Sequence, residues 1–162
     1  MGRILVIAAL VLLGGVPAAA NAVGGGAGDG TLAVTGASGT VGIASRGALI
    51  AQIDRGKVIL DDRDTKDGKA PVVWGYENKR DISDTKALYS GTDIRFRIIG
   101  GFFRVKVIGT GIDLSLVGRG SVTLGPALGL FTLGTYSLND GFLLPFPDEI
   151  TSVQLIASAP GG

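Results

Sequence analysis

Ile94-Arg95-Phe96-Arg97-Ile98-Ile99-Gly100-Gly101-Phe102-Phe103-Arg104-Val105-Lys106-Val107 alternates apolar and basic residues on both sides of a glycine pair. Alternation with period two signals half-buried strands, and Gly-Gly suits a two-residue turn that needs positive φ. The stretch predicts a β-hairpin in which Ile94, Phe96 and Ile98 meet Phe103, Val105 and Val107 on the buried face. A slip of one residue would turn every side chain over, so the pattern pins the register. Continued through residues 108–111, the same logic pairs Val107 with Ile112, Lys106 with Asp113 and Val105 with Leu114, a three-stranded meander over residues 92–117.

The outer face of that hairpin would set Arg97 against Arg104 and Arg95 against Lys106. Like charges directly across a strand pair cost roughly a few tenths of a kcal/mol each, so the pattern asks for acidic neighbours or an anionic partner. Asp113 could offset Lys106 and Asp93 could sit beside Arg95, which leaves Arg97 and Arg104 without an acid on the same strands. Arg95, Arg97, Arg104 and Lys106 are therefore the candidate anion-contacting face. Guanidinium forks match carboxylate and phosphate oxygens, which points to acidic glycans, teichoic-type polymers or lipid phosphates. The competing reading is a solvated face whose long side chains cover the sheet with their apolar stems.

Away from the hairpin, glycine punctuates short runs rich in Val, Ile, Leu and Thr. Gly30, Gly39, Gly47 and Gly56 are nine, eight and nine residues apart, and Gly91, Gly101, Gly111 and Gly120 are ten, ten and nine apart. Such spacing predicts an all-β chain, a small antiparallel sandwich or barrel. Arg55-Gly56-Lys57-Val58-Ile59-Leu60 and Arg119-Gly120-Ser121-Val122-Thr123-Leu124 are local copies, which suggests an internal pseudo-repeat of residues 30–62 and 91–125, each half forming one of two similar packed sheets. Gly109-Thr110-Gly111-Ile112-Asp113-Leu114 and Gly118-Arg119-Gly120-Ser121-Val122-Thr123-Leu124 also resemble the glycine rhythm of bacterial adhesin-head β-solenoids. That resemblance implies the alternative fold, a right-handed β-solenoid or prism with corners at the glycines and parallel stacking.

Residues 4–13 are uninterruptedly apolar, follow Arg3, and end at Gly14, Gly15 and Pro17. A bilayer-spanning helix needs roughly 20 apolar residues; with Ala20-Asn21-Ala22 offering small residues where a signal peptidase reads, residues 1–22 are expected to be a cleavable secretory signal. Gly-rich residues 23–29 would then lead into a single domain over residues 30–158, with a short disordered tail after it and no membrane span once the signal is removed. Without Arg3, the 15 basic residues fall to 14, equal to the 14 acidic ones. A balanced domain lacks the basic excess that marks a nucleic-acid binder. The chain has no cysteine, which in an exported domain fits a bacterial envelope better than a disulfide-dense eukaryotic module.

The charged segment 61–90 reads as two surface loops around one strand, Pro71-Val72-Val73-Trp74-Gly75-Tyr76, with Trp74 as a core plug. Asp62, Asp64 and Asp67 before Gly68 form a weak calcium-loop candidate, since Arg63 and Lys66 intervene and the third Asp is displaced by one position. With neither His nor Cys, the chain lacks the usual general base, thiol nucleophile and transition-metal ligands. The adjacent carboxylates Asp148 and Glu149 would point to opposite sides of an extended segment. No cofactor is expected. The sequence thus favours an exported, non-enzymatic β-domain with a structural or binding role at the cell envelope, partnered by an anionic polymer or another envelope protein. The alternatives are a carboxylate-based carbohydrate-active enzyme and a subunit of a larger extracellular assembly.

Overall fold

The computed structural model describes residues 29–64 and 69–156, and the expected signal, Gly-rich leader and C-terminal tail lie almost entirely outside them. The described residues form seven strands and no helix: β1 (Gly30–Asp62), β2 (Val72–Trp74), β3 (Asn78–Ser83), β4 (Lys86–Gly125), β5 (Leu133–Leu138), β6 (Leu144–Pro145) and β7 (Thr151–Leu155). Every pairing is antiparallel, and the sheet does not close into a barrel. The chain is all-β, as the glycine spacing predicts.

β1 and β4, of 33 and 40 residues, are far too long to be straight strands of a small domain. They bend at the glycines and wind around a common core. Val41 pairs with Val107 on one side and Leu124 on the other, partners 17 residues apart on β4, so each turn of β1 lies between successive turns of β4. One layer runs β6, β5, residues 30–34, 112–117, 48–53, 92–99 and then β2. The other runs β7, residues 120–124, 40–46, 102–108, 57–62, 86–90 and then β3. Their inner faces share one core, with Leu49, Ile53, Phe96 and Leu116 from the first layer and Val41, Phe103, Val107 and Leu124 from the second all fully buried.

The corners form two columns of glycine. Gly30, Gly118 and Gly47 are register neighbours on one side, and Gly39, Gly109, Gly56 and Gly91 on the other. At Gly47 (φ 147°) a Cβ would stand 2.0 Å from the Val117 carbonyl oxygen, so two backbones approach at a distance no side chain permits.

This arrangement corrects the hairpin. The predicted inward residues Ile94, Phe96, Ile98, Phe103, Val105 and Val107 are all buried, but the two runs do not pair with each other. Gly100 and Gly101, with φ of 82° and 67°, carry the chain from one layer to the other. Residues 92–99 pair with residues 48–55 and β2, and residues 102–108 with residues 40–46 and 57–62. The meander over residues 92–117 is absent for the same reason: Asp113 lies opposite Gln52, and Lys106 opposite Gly42 and Ile59. Interleaving gives both runs two strand neighbours, and it places Arg95 and Arg97 on one layer and Arg104 and Lys106 on the other. The two glycine-spaced halves consequently share both layers instead of forming one sheet each. The solenoid alternative anticipates corners, but its parallel pairing does not occur.

The segment read as loops around one strand contains β2 and β3, with β4 beginning at Lys86. Trp74 is not a core plug; it is 45% exposed. β2 is a three-residue edge strand whose middle residue, Val73, packs on the core, which turns Val72 and Trp74 outward. The turn signal Asn139-Asp140-Gly141 is present, with positive φ at Asn139 and Asp140 and the Gly141 amide donating to the Leu138 carbonyl at 2.9 Å.

Candidate functional site

Alternation places every second residue of each layer on its outer surface, and the sheet register then decides which of them meet. The four predicted cations separate into pairs. Arg95 and Arg97 lie on the outer surface of the first layer, Arg104 and Lys106 on that of the second. Arg97 stands opposite Ile50 and Val72, so the predicted Arg97–Arg104 confrontation does not arise. Arg95 makes a two-pronged contact with Asp93, Nε and Nη2 donating to Oδ1 at 3.2 and 3.0 Å, as its position beside Asp93 suggests.

On the second layer Arg104 and Lys106 join two cations that sequence reasoning passed over, Arg46 and Arg119. Three adjacent strands build a grid whose rows are Arg119, Arg46 and Phe102; Ser121, Ala44 and Arg104; and Thr123, Gly42 and Lys106. Phe102 anchors the grid, with the guanidinium carbons of Arg46 and Arg104 at 5.9 and 5.8 Å from its ring centre, within cation–π range. Gly42 and Ala44 make a floor almost without side chains, so a ligand can approach the sheet between a basic wall and a hydroxyl wall. A recess of about 420 Å³ lined by Thr40, Gly42, Lys106, Thr123 and Ile150 continues it.

Neighbouring acids are unevenly distributed. Arg119 pairs with Asp29 at 3.0 Å and Arg46 with Asp64 at 3.7 Å. Asp61 is in register with Arg104, yet its carboxylate is buried and accepts from Arg63 Nε at 2.8 Å and Thr85 Oγ1 at 3.0 Å. Among the described residues Arg104 and Lys106 form no ion pair. The signal that could have found Arg46 is its place one residue before Gly47, which the corner geometry turns into a register neighbour of both Phe102 and Arg119.

Of the calcium candidates, Asp67 lies outside the described residues. Asp62 Oδ1 accepts the Asp64 amide at 3.2 Å, and Asp64 faces Arg46. No cluster of metal-ligating side chains occurs among the described residues. Asp62, Asp81 and Asp84 line a recess of about 370 Å³ at the end of the sandwich formed by β2 and β3, together with Lys79 and Lys86. Asp81 is bound there to Lys79 Nζ at 2.9 Å. Tyr89 closes this end, its ring meeting Tyr76 edge-on at 5.1 Å. The loops flanking β5 and β6 hold Leu128, Phe131 and Phe142 almost wholly, and Leu143 largely, in solvent. No helix among the described residues is long and apolar enough to cross a membrane.

Comparison with family models, with curated proteins and with solved structures gives no match.

Proposed function

We propose that this chain is an exported, non-enzymatic binding domain of the cell envelope, and that it holds an anionic polymer, an acidic glycan or a phosphate-bearing chain, on the outer face of its second layer. The observation that carries this reading is the grid of Arg46, Arg104, Lys106 and Arg119 around Gly42 and Ala44, with Arg104 and Lys106 unneutralised among the described residues. Ser121 and Thr123 on the facing strand supply hydroxyl donors across two strand spacings, roughly 10 Å. Export rests on the apolar run of residues 4–13 and the Ala20-Asn21-Ala22 cleavage pattern.

The test is retention of the purified domain on isolated envelopes and on immobilised polyphosphate and polygalacturonate. The doubly substituted Arg104→Ser/Lys106→Ser protein should bind about tenfold more weakly, since two exposed charge contacts of about 0.7 kcal/mol each amount to one decade. Arg97→Ser, on the other layer, should bind like the wild type. Equal retention of all three proteins would refute the reading.

A second reading, a subunit of a larger extracellular assembly, draws on the exposed apolar loops. Outward Ile59, Ile108 and Val117 are only partly exposed, whereas Leu128, Phe131 and Phe142 are 106%, 89% and 92% exposed. Large apolar side chains this exposed favour a covering partner. Light scattering that gives a clean monomer at high concentration would count against self-association as the origin of that exposure.

A further inference from the structure

The outer face of the first layer carries a second arrangement, independent of the basic grid. Asp113, Gln52, Arg95 and Trp74 form one register row across four adjacent strands. The row crosses a shallow groove of about 350 Å³ that is also lined by Ala33, Thr35, Ile50 and Ser115. Ala33 and Ser115 are small and in register, which keeps the floor low, while Trp74 stands at the edge strand as a wall.

The row is held in place before any ligand arrives. Gln52 Nε2 and Arg95 both donate to Asp93, at 3.3 Å and 3.0 Å, and Asp113 Oδ1 accepts the Gly36 amide at 2.9 Å. The backbone beneath Trp74 is unusual: Asp93 has φ 54°, and at Gly75 (φ 78°) a Cβ would lie 2.0 Å from the Asp93 carbonyl oxygen. A non-glycine residue at positive φ is uncommon, and such residues gather at binding sites. Among the described residues Arg95 Nη1, Gln52 Oε1 and Asp113 Oδ2 make no hydrogen bond.

We propose that this groove binds an uncharged glycan, with one pyranose ring stacked on Trp74 and hydroxyls bonded by Arg95, Gln52 and Asp113. The C–H face of a pyranose is apolar and weakly electropositive, the complement of the electron-rich face of an indole. Its equatorial hydroxyls both donate and accept, which suits a row offering a guanidinium, an amide and a carboxylate. Arg95 and Arg97 are balanced in number by Asp93 and Asp113, so the face does not select for charge. Three strand spacings separate Trp74 from Asp113, about 14 Å, which fits an oligosaccharide better than a single sugar.

Trp74 is the only tryptophan, so its emission reports the site directly. Maltohexaose, cellohexaose and N-acetylchitohexaose are titrated into the wild-type domain, followed by tryptophan emission and by calorimetry. At least one should give a saturable blue shift with a matching heat. Trp74→Ala should weaken that binding about tenfold by calorimetry, and Gln52→Ala about threefold. Trp74→Phe should keep part of the affinity. Arg104→Ser/Lys106→Ser, on the other layer, should leave it unchanged. Absence of saturation with all three sugars in the millimolar range overturns the proposal, as does wild-type affinity in both Trp74→Ala and Gln52→Ala.

Discussion

Gly47→Ala tests the wound architecture at its tightest point. The added Cβ would lie 2.0 Å from the Val117 oxygen and 2.7 Å from the Gly118 Cα, both backbone atoms that cannot swing aside. A carbon–oxygen contact needs about 3.3 Å, so β1 and β4 must separate by more than 1 Å at a corner where Arg46 pairs with Arg119 and Ala48 with Val117. Loss of about two backbone hydrogen bonds near 1 kcal/mol each, with about 1–2 kcal/mol for a Cβ at positive φ, outweighs the few tenths gained from a stiffer unfolded chain. The net cost is about 3 kcal/mol, which at a urea m-value of about 1.5 kcal/mol/M lowers the midpoint by about 2 M. Gly42→Ala is the matched control. Its Cβ would meet only Thr123, at 3.7 Å from that residue's Cβ, an ordinary contact, so its stability should be unchanged or rise by up to about 1 kcal/mol. Equilibrium urea unfolding followed by far-UV circular dichroism measures both. A Gly47→Ala loss below about 1 kcal/mol, or one no larger than that of Gly42→Ala, would refute the corner as described.

Phe96→Ala, at a fully buried site between Ala51 and the edge-strand residue Val73 of the first layer, should cost about 3–5 kcal/mol in the same assay, whereas Phe102→Ala, half-buried outside the second layer, should cost distinctly less. Burial raises the Tyr89 phenol above its ordinary value of 10.0, and the Lys79 ammonium only partly offsets this. A group whose folded pKa is raised contributes stability that is complete below its unfolded pKa and is lost as pH climbs through the folded one. Alkaline absorbance titration of Tyr89→Phe against the wild type should therefore remove a component titrating above 10, and removal of a component at or below that value would contradict the burial.

The candidate sites were only half legible in the sequence. Arg104 and Lys106 stood out because they alternate with buried residues, but their companions Arg46 and Arg119 lie 58 and 15 residues away from Arg104 in the chain, and only the interleaved register makes them neighbours. Trp74 misled for a related reason. Val72, Trp74 and Tyr76 do share a side of an extended chain, but nothing local says which side faces the core; the packing of Val73 decides it. The row Asp113, Gln52, Arg95 and Trp74 draws one residue from each of four strands and leaves no local motif at all.

What the chain determined by itself was which side of each strand is buried and where it bends. Period-two alternation is a local property, so Ile94, Phe96, Ile98, Phe103, Val105 and Val107 go inward whatever their neighbours are. Glycine marks the bends because only glycine tolerates the backbone approach at such corners. Which strand lies beside which was left to the tertiary structure. Antiparallel pairing across Gly100-Gly101 and pairing with β1 satisfy the alternation equally well, so the pattern cannot choose between them. The choice falls to interleaving, which gives both runs two hydrogen-bonded neighbours, joins their apolar faces in one core and places Arg97 and Arg104 on opposite outer faces.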